Sequence, residues 1–126
     1  MSILTISESK PLDEFEQEFF TAAESGDKDK VMELLEIVDV NIKDDDAGRT
    51  ALMNASMENK TKVVRLLLKA DANPNIQDDF GYTALMYASN NGDKDIVELL
   101  LEAGADPDIH VYDGWTALMM ASDNGH

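Results

Sequence analysis

The sequence predicts an all-α solenoid of stacked helix–turn–helix units joined by extended β-turn fingers. Three observations carry that prediction. The pattern Gly-x-Thr-Ala-Leu-Met occurs three times at 33-residue steps, from Gly48, Gly81 and Gly114. Ala55, Ala88 and Ala121 keep the same step. Within each full step, two apolar runs of helical spacing flank a polar break, and an Asn-, Asp- and Gly-rich stretch follows. A fixed period of this size marks supersecondary units that bury their apolar faces only against their neighbours. Such stacks present long surfaces, which turns the question of function toward recognition.

Each element can be justified in order. Residues 1–12 read as a flexible arm, and 13–126 as one repeat domain. Its units span about 13–45, 46–78, 79–111 and a partial 112–126. From Pro11 the pattern is helical, with Phe15, Phe19, Ala22 and Ala23 on one face. Gly26-Asp27 breaks it, and Val31, Leu34 and Leu35 define the inward face of a second helix. Asp39-Val40-Asn41 and Asp44-Asp45-Asp46 read as a turn leading to Gly48.

In the second unit the Thr50 hydroxyl can cap a helix over about 51–58, taking up a backbone N–H that otherwise lacks a partner. Leu52 and Ala55 lie on its buried side, and Asn59-Lys60 ends it. A helix over about 61–70 follows, with Val63, Val64, Leu66, Leu67 and Leu68 too apolar to face water. Asn73-Pro74-Asn75 then leads into an extended stretch up to Gly81. The third unit repeats the plan near 84–91 and 94–103, with Gly104 as a left-handed C-cap.

Taken together, GYTALMYASNNGDKDIVELLLEAGADPDIH (Gly81–His110) and GRTALMNASMENKTKVVRLLLKADANPNIQ (Gly48–Gln77) resemble the ankyrin repeat. Thr21–Glu36 is a weaker copy and Gly114–His126 a partial one, so the resemblance covers most of the chain. The departures are informative. Ala51, Ala84 and Ala117 stand where the family favours Pro, which gives up a fixed φ at the helix start. Met53, Met86 and Met119 replace the family's His, so packing should substitute for loop-tying hydrogen bonds and the loops should be looser. Asp71 replaces a C-cap glycine, and Asp tolerates the left-handed region better than most residues. The first unit lacks one residue in that turn and carries one extra before Gly48, so its finger should be distorted.

Lys30 and Glu33 stand where later units have Val63 and Leu66, then Ile96 and Leu99. Polar residues there are what a first repeat needs, because nothing precedes it. The fourth unit stops at His126, before a second helix. A monomer belonging to a longer natural protein is the favoured expectation, with a dimer through that end as the alternative.

Composition narrows the function. The chain has 26 acidic and 10 basic side chains, a net charge of −16, and 44% apolar residues. That balance disfavours nucleic acid and anionic membrane surfaces, and would steer a basic partner inward. Without cysteines there is no disulfide framework, which suits an intracellular (cytoplasmic or nuclear) setting. The start has no basic n-region and long apolar core of a secretory signal, and no apolar run is long enough to span a bilayer. His110 and His126 are the only histidines and do not form a Ser-His-Asp set at any recognisable spacing, so no catalytic residues are expected. Asp44-Asp45-Asp46-Ala47-Gly48 lacks the alternating ligands and twelfth-position Glu of an EF-hand, so neither metal nor cofactor is expected. The repeated glycines lack a P-loop Lys and read as turns with positive φ.

The resemblance implies a ligand face made of finger tips and the concave side of the first helices. On this chain the fingers supply Asp46, Ala47 and Arg49; Asp79, Phe80 and Tyr82; and Tyr112, Asp113 and Trp115. The helices would supply Asn54, Met57 and Glu58; Tyr87, Asn90 and Asn91; and Met120, Asp123 and Asn124. Phe80, Tyr82, Tyr87, Tyr112 and Trp115 are five of the eight aromatics, clustered in the later units. They can form a binding hot spot or pack finger against finger. Asp78, Asp79, Asp106, Asp108 and Asp113 would form an acidic rim for Lys or Arg of a partner. The leading expectation is a non-catalytic protein–protein interaction module for a basic-apolar segment; the alternative is a structural spacer in a longer protein. The resemblance further implies hydroxylation of ankyrin asparagines, whose place Asn41 and Asn75 occupy, with Asp108 there in the third unit.

Overall fold

The computed structural model describes residues 12–111 and 116–123. Seven helices occur among the described residues: α1 (Leu12–Ser25), α2 (Lys28–Leu34), α3 (Ala51–Met57), α4 (Thr61–Lys69), α5 (Ala84–Asn91), α6 (Lys94–Glu102) and α7 (Ala117–Asp123). No strand is formed among those residues. Helices α1, α3, α5 and α7 stack as one layer and α2, α4 and α6 as a second, and each of α1, α3 and α5 packs on the helix that follows it. The all-α repeat architecture is therefore as expected. Leu12, assigned to the arm, already belongs to α1; the rest of the arm lies outside the described residues.

Helix starts follow local chemistry. The hydroxyls of Thr50, Thr83 and Thr116 accept from the amides of Met53, Met86 and Met119 at 3.3, 3.3 and 3.4 Å. Asp27 and Asp93 cap α2 and α6 through the amides of Lys30 and Ile96, both at 3.2 Å. A cap of this kind typically contributes about 1 kcal/mol. Beyond α4, Asp71 takes the left-handed conformation foreseen for it, at φ 65°.

The apolar positions meet as one core running along the stack. Phe19, Val31, Leu34, Leu52, Val63, Val64, Leu67, Leu85, Ile96 and Leu100 are all buried in it. Leu66, Leu68 and Leu99 are only partly buried against its edge. The Ser56 hydroxyl lies inside this core with no hydrogen-bond partner. A buried unsatisfied hydroxyl carries a desolvation cost of about 1–3 kcal/mol. Ser56→Ala should therefore stabilise the fold by about 1 kcal/mol, seen as a higher urea midpoint at unchanged slope. A lowered midpoint would show that the hydroxyl contributes to the packing.

At the front of the stack, Lys30 is half-exposed and pairs with Glu18 and Glu33, each at 3.8 Å. Its counterparts Val63 and Ile96 are fully buried between layers. Lys30 thus stays partly hydrated at a place where the later units bury an apolar side chain.

The fingers are held by packing and by hydrogen bonds. Met53 and Met86 are buried, and the Met86 sulfur accepts the Thr83 amide at 3.4 Å. Groups other than these methionines also tie the loops together. The Asp79 amide donates to the Ala47 carbonyl at 2.9 Å, joining two fingers. Gln77 Nε2 donates to the carbonyls of Gly81 and His110, at 2.8 and 3.0 Å. Asn41 and Asn75 accept the amides of Asn73 and Asp106, each at 2.7 Å, and so link successive turns. The extra residue of the first finger widens its loop. The Asp44 amide bonds the Arg49 carbonyl there, whereas in the second finger Asp78 bonds Tyr82, one position nearer.

Candidate functional site

Asp78 organises the second finger. Its carboxylate is 2% exposed, and Oδ1 accepts the amides of Phe80 and Tyr82 at 3.0 and 2.9 Å. Oδ2 accepts the Tyr87 hydroxyl and lies 3.7 Å from Arg49 Nε. A buried carboxylate persists only when donors surround it in this way. Asp44 has the matching role in the first finger, accepting the amides of Asp46, Ala47 and Arg49 at 3.2, 3.0 and 3.2 Å. That sets Arg49 beside Tyr87, whose hydroxyl oxygen accepts from Nε at 3.2 Å.

The result is a layered platform. The Arg49 guanidinium sits 5.6 Å from the Tyr87 ring centroid, and Tyr82 stacks on the same ring at 5.2 Å and 29°. Offset stacking and the cation over a π-face are both favourable geometries. Two fingers and the inner helix α5 are thereby joined through side chains on Arg49, Asp78, Tyr82 and Tyr87. Phe80, at the tip of the second finger, is 57% exposed beside it.

Burial, and then the hydrogen bond to Asp78, push the Tyr87 hydroxyl up to about 12 from an ordinary 10, with Arg49 opposing in part. The Arg49 guanidinium is also raised, first by its hydrogen bond to Tyr87. Because the folded value of Tyr87 exceeds the unfolded one, its contribution to stability is complete below about 10 and is lost as pH rises through about 12. A tyrosinate absorbance titration should show a step near 12 that Tyr87→Phe removes. A titration identical in the two proteins, apart from a lost residue near 10, would refute the buried hydroxyl.

Beside the first finger lies a cleft of about 340 Å³ between α1 and residues 44–46. Phe20 and Thr21 line it with Glu24, Asp44, Asp45 and Asp46. A polar cleft rimmed by several carboxylates suits the charged head of a Lys or Arg side chain.

A family model described as ankyrin repeats, three copies, matches residues 19–111 and 70–126. The chain belongs to the ankyrin repeat family. Ankyrin repeats are generally protein–protein interaction modules. A comparison with curated proteins gives no match. Among the described residues no helix is long and apolar enough to cross a membrane. Nor do any of those residues form a group of three or more His, Asp or Glu able to hold a metal ion.

In this ankyrin stack the expected binding residues fall into distinct groups. Asp46, Asp79 and Phe80 are exposed at finger tips, and Asn90 is exposed on α5. Arg49, Tyr82 and Tyr87 form the platform and are half-buried. Met57 is half-buried, and its carbonyl accepts from Asn91 Nδ2 at 2.8 Å across the gap between α3 and α5. Tyr112, Asp113 and Trp115 lie outside the described residues, as does Asn124.

Several expectations need correction. Asn54 and Met120, assigned to the groove, are each 6% exposed and belong to the interior, and Ala47, assigned to the first finger's contact face, is 8% exposed. Asp78, assigned to the acidic rim, is the buried anchor of its finger. The acidic cleft against α1 was missed because Phe20 and Glu24 lie in the weakest repeat copy. Its only sequence signal was the acidic run 44–46, which by itself reads as a solvated turn.

Proposed function

We propose that this ankyrin stack is a non-catalytic interaction module that binds a basic-apolar segment of a partner protein. The binding face is the concave side and the finger tips, from the acidic cleft at α1 to Phe80 and the platform at Tyr82. The observation that supports it most is the exposed Phe80 ring held beside the fixed Arg49–Tyr87–Tyr82 layers. Pre-ordered aromatics lose little conformational freedom on binding, which is why they serve as anchors. The carboxylates of Glu24, Asp45 and Asp46 supply the complementary charge.

The test is capture of a partner with the intact chain, compared with the Phe80→Ala/Tyr82→Ala double variant. Binding weakened by about 30-fold or more, equivalent to about 2 kcal/mol, supports an aromatic hot spot. A folded double variant that binds as wild type would overturn this binding face, whereas failure of the intact chain to capture any partner would favour a spacer role in a longer protein. Acidic-cleft binding further predicts loss of affinity with added salt.

A further inference from the structure

Asn91 joins two units of the stack through a side-chain amide that is chemically labile where it stands. It is the last residue of α5 and is exposed, and its Nδ2 donates to the Met57 carbonyl at the end of α3, at 2.8 Å. The next residue is Gly92. A backbone nitrogen that follows an asparagine can attack the side-chain carbonyl carbon, and a glycine, without a Cβ, leaves that approach open. At other asparagines the neighbour hinders the reaction. Asn41 and Asn75 precede Ile42 and Ile76, whose branched side chains crowd the next amide, and Asn73 precedes Pro74, which has no N–H. A second Asn-Gly pair, Asn124-Gly125, lies outside the described residues.

The fold holds both reacting groups. The Gly92 amide donates to the Ser89 carbonyl at 3.1 Å, and Gly92 closes α5 in the left-handed region at φ 72°. Attack therefore requires opening of the last turn of α5 together with release of the bond to Met57. Helix ends open locally at a lower free energy than the whole fold. We propose that Asn91 is a site of spontaneous deamidation gated by this local opening, and that its product cuts the tie between the second and third units. The Gly92 nitrogen forms a bond to Asn91 Cγ and gives up its proton. The Cγ–Nδ2 bond breaks, and Nδ2 leaves as ammonia. Water then opens the cyclic imide at either carbonyl carbon, which leaves an aspartate or an isoaspartate at position 91.

Neither product suits the site. A carboxylate has no hydrogen to donate, so it meets the Met57 carbonyl oxygen as acceptor against acceptor. It also stands at the C-terminus of α5, where the helix dipole disfavours negative charge. The adjoining cleft, about 650 Å³, is already lined by three carboxylates, Glu58, Asp93 and Asp95, with Lys94. The isoaspartate form further adds one carbon to the backbone just before the left-handed Gly92. This modification does not depend on the binding face proposed above.

The test incubates the whole protein beside a capped peptide of residues 86–97 in mildly alkaline buffer. Peptide mapping by mass spectrometry reads the gain of about 1 Da at position 91 and separates it from any change at position 124. Conversion at position 91 is expected to be about 10–100-fold slower in the folded protein than in the peptide, with both aspartate and isoaspartate formed. After about 30 peptide half-lives even a 100-fold slowing converts about a fifth of the protein, so no detectable change by then overturns the proposal. A rate equal to that of the peptide removes the gate and overturns it too. Asn91→Asp, which supplies the product directly, should lower the thermal midpoint by about 2–6 °C. An unchanged midpoint would show that the tie to Met57 carries no stability, and overturns the proposed effect of the modification.

Discussion

Asp78→Ala is expected to destabilise the protein by about 3 kcal/mol, read from urea or thermal unfolding. The substitution removes the acceptor of two finger amides and of the Tyr87 hydroxyl in a region where water does not replace it. It also leaves Arg49 without its buried counter-charge. Breaking a fully buried pair costs about 3–5 kcal/mol, and the Arg49 side chain, 29% exposed, can recover some hydration. The effect therefore falls at the lower end of that range. Asp78→Asn keeps one amide acceptor and should cost less. The tyrosinate step near 12 should move down in Asp78→Ala, because the hydrogen bond that holds the Tyr87 proton is gone. A loss below about 0.5 kcal/mol would mean that the fingers are held by their backbone ties alone.

Leu85→Ala is expected to cost about 2–5 kcal/mol, the usual range for a buried leucine truncated to leave a cavity. Leu85 is 3% exposed between successive repeats. Leu118 stands at the same position of the repeat but is 73% exposed, so Leu118→Ala should stay within about 0.5 kcal/mol of wild type. The contrast isolates stacking from helix propensity, because the local sequence around the two leucines is nearly the same. Equal costs at the two positions would contradict the stacking order.

What could be read from the sequence was what local chemistry decides. Thr50 and Thr83 cap helices through amides three residues on, and Asp71 enters the left-handed region at its own position. Lys30 stands out because it is the one polar residue in a column otherwise held by Val63 and Ile96. The Arg49–Asp78–Tyr87 cluster was hidden for the opposite reason. It joins residues 38 positions apart, drawn from two different fingers and a helix. A partial signal existed: Asp44 and Asp78 each begin a short loop containing glycine, where an Asp side chain bonds amides ahead of it. Asn54 and Met120 share their place in the period with the half-buried Tyr87, so side-chain size and neighbours, which the period does not encode, decide whether that place is covered.

The repeat scaffold is common to the family, so recognition rests on the residues that vary within its period. Phe80 is the cleanest of these, since its ring is exposed while its backbone is fixed by Asp78. Its truncation should leave stability within about 0.5 kcal/mol. The affinity of Phe80→Ala for the partner captured by the intact chain, measured by calorimetry, is the most direct test of the binding face. At least a tenfold loss, about 1.4 kcal/mol, is the result expected of a finger-tip anchor. An affinity within about twofold of wild type, with the fold intact, would contradict it.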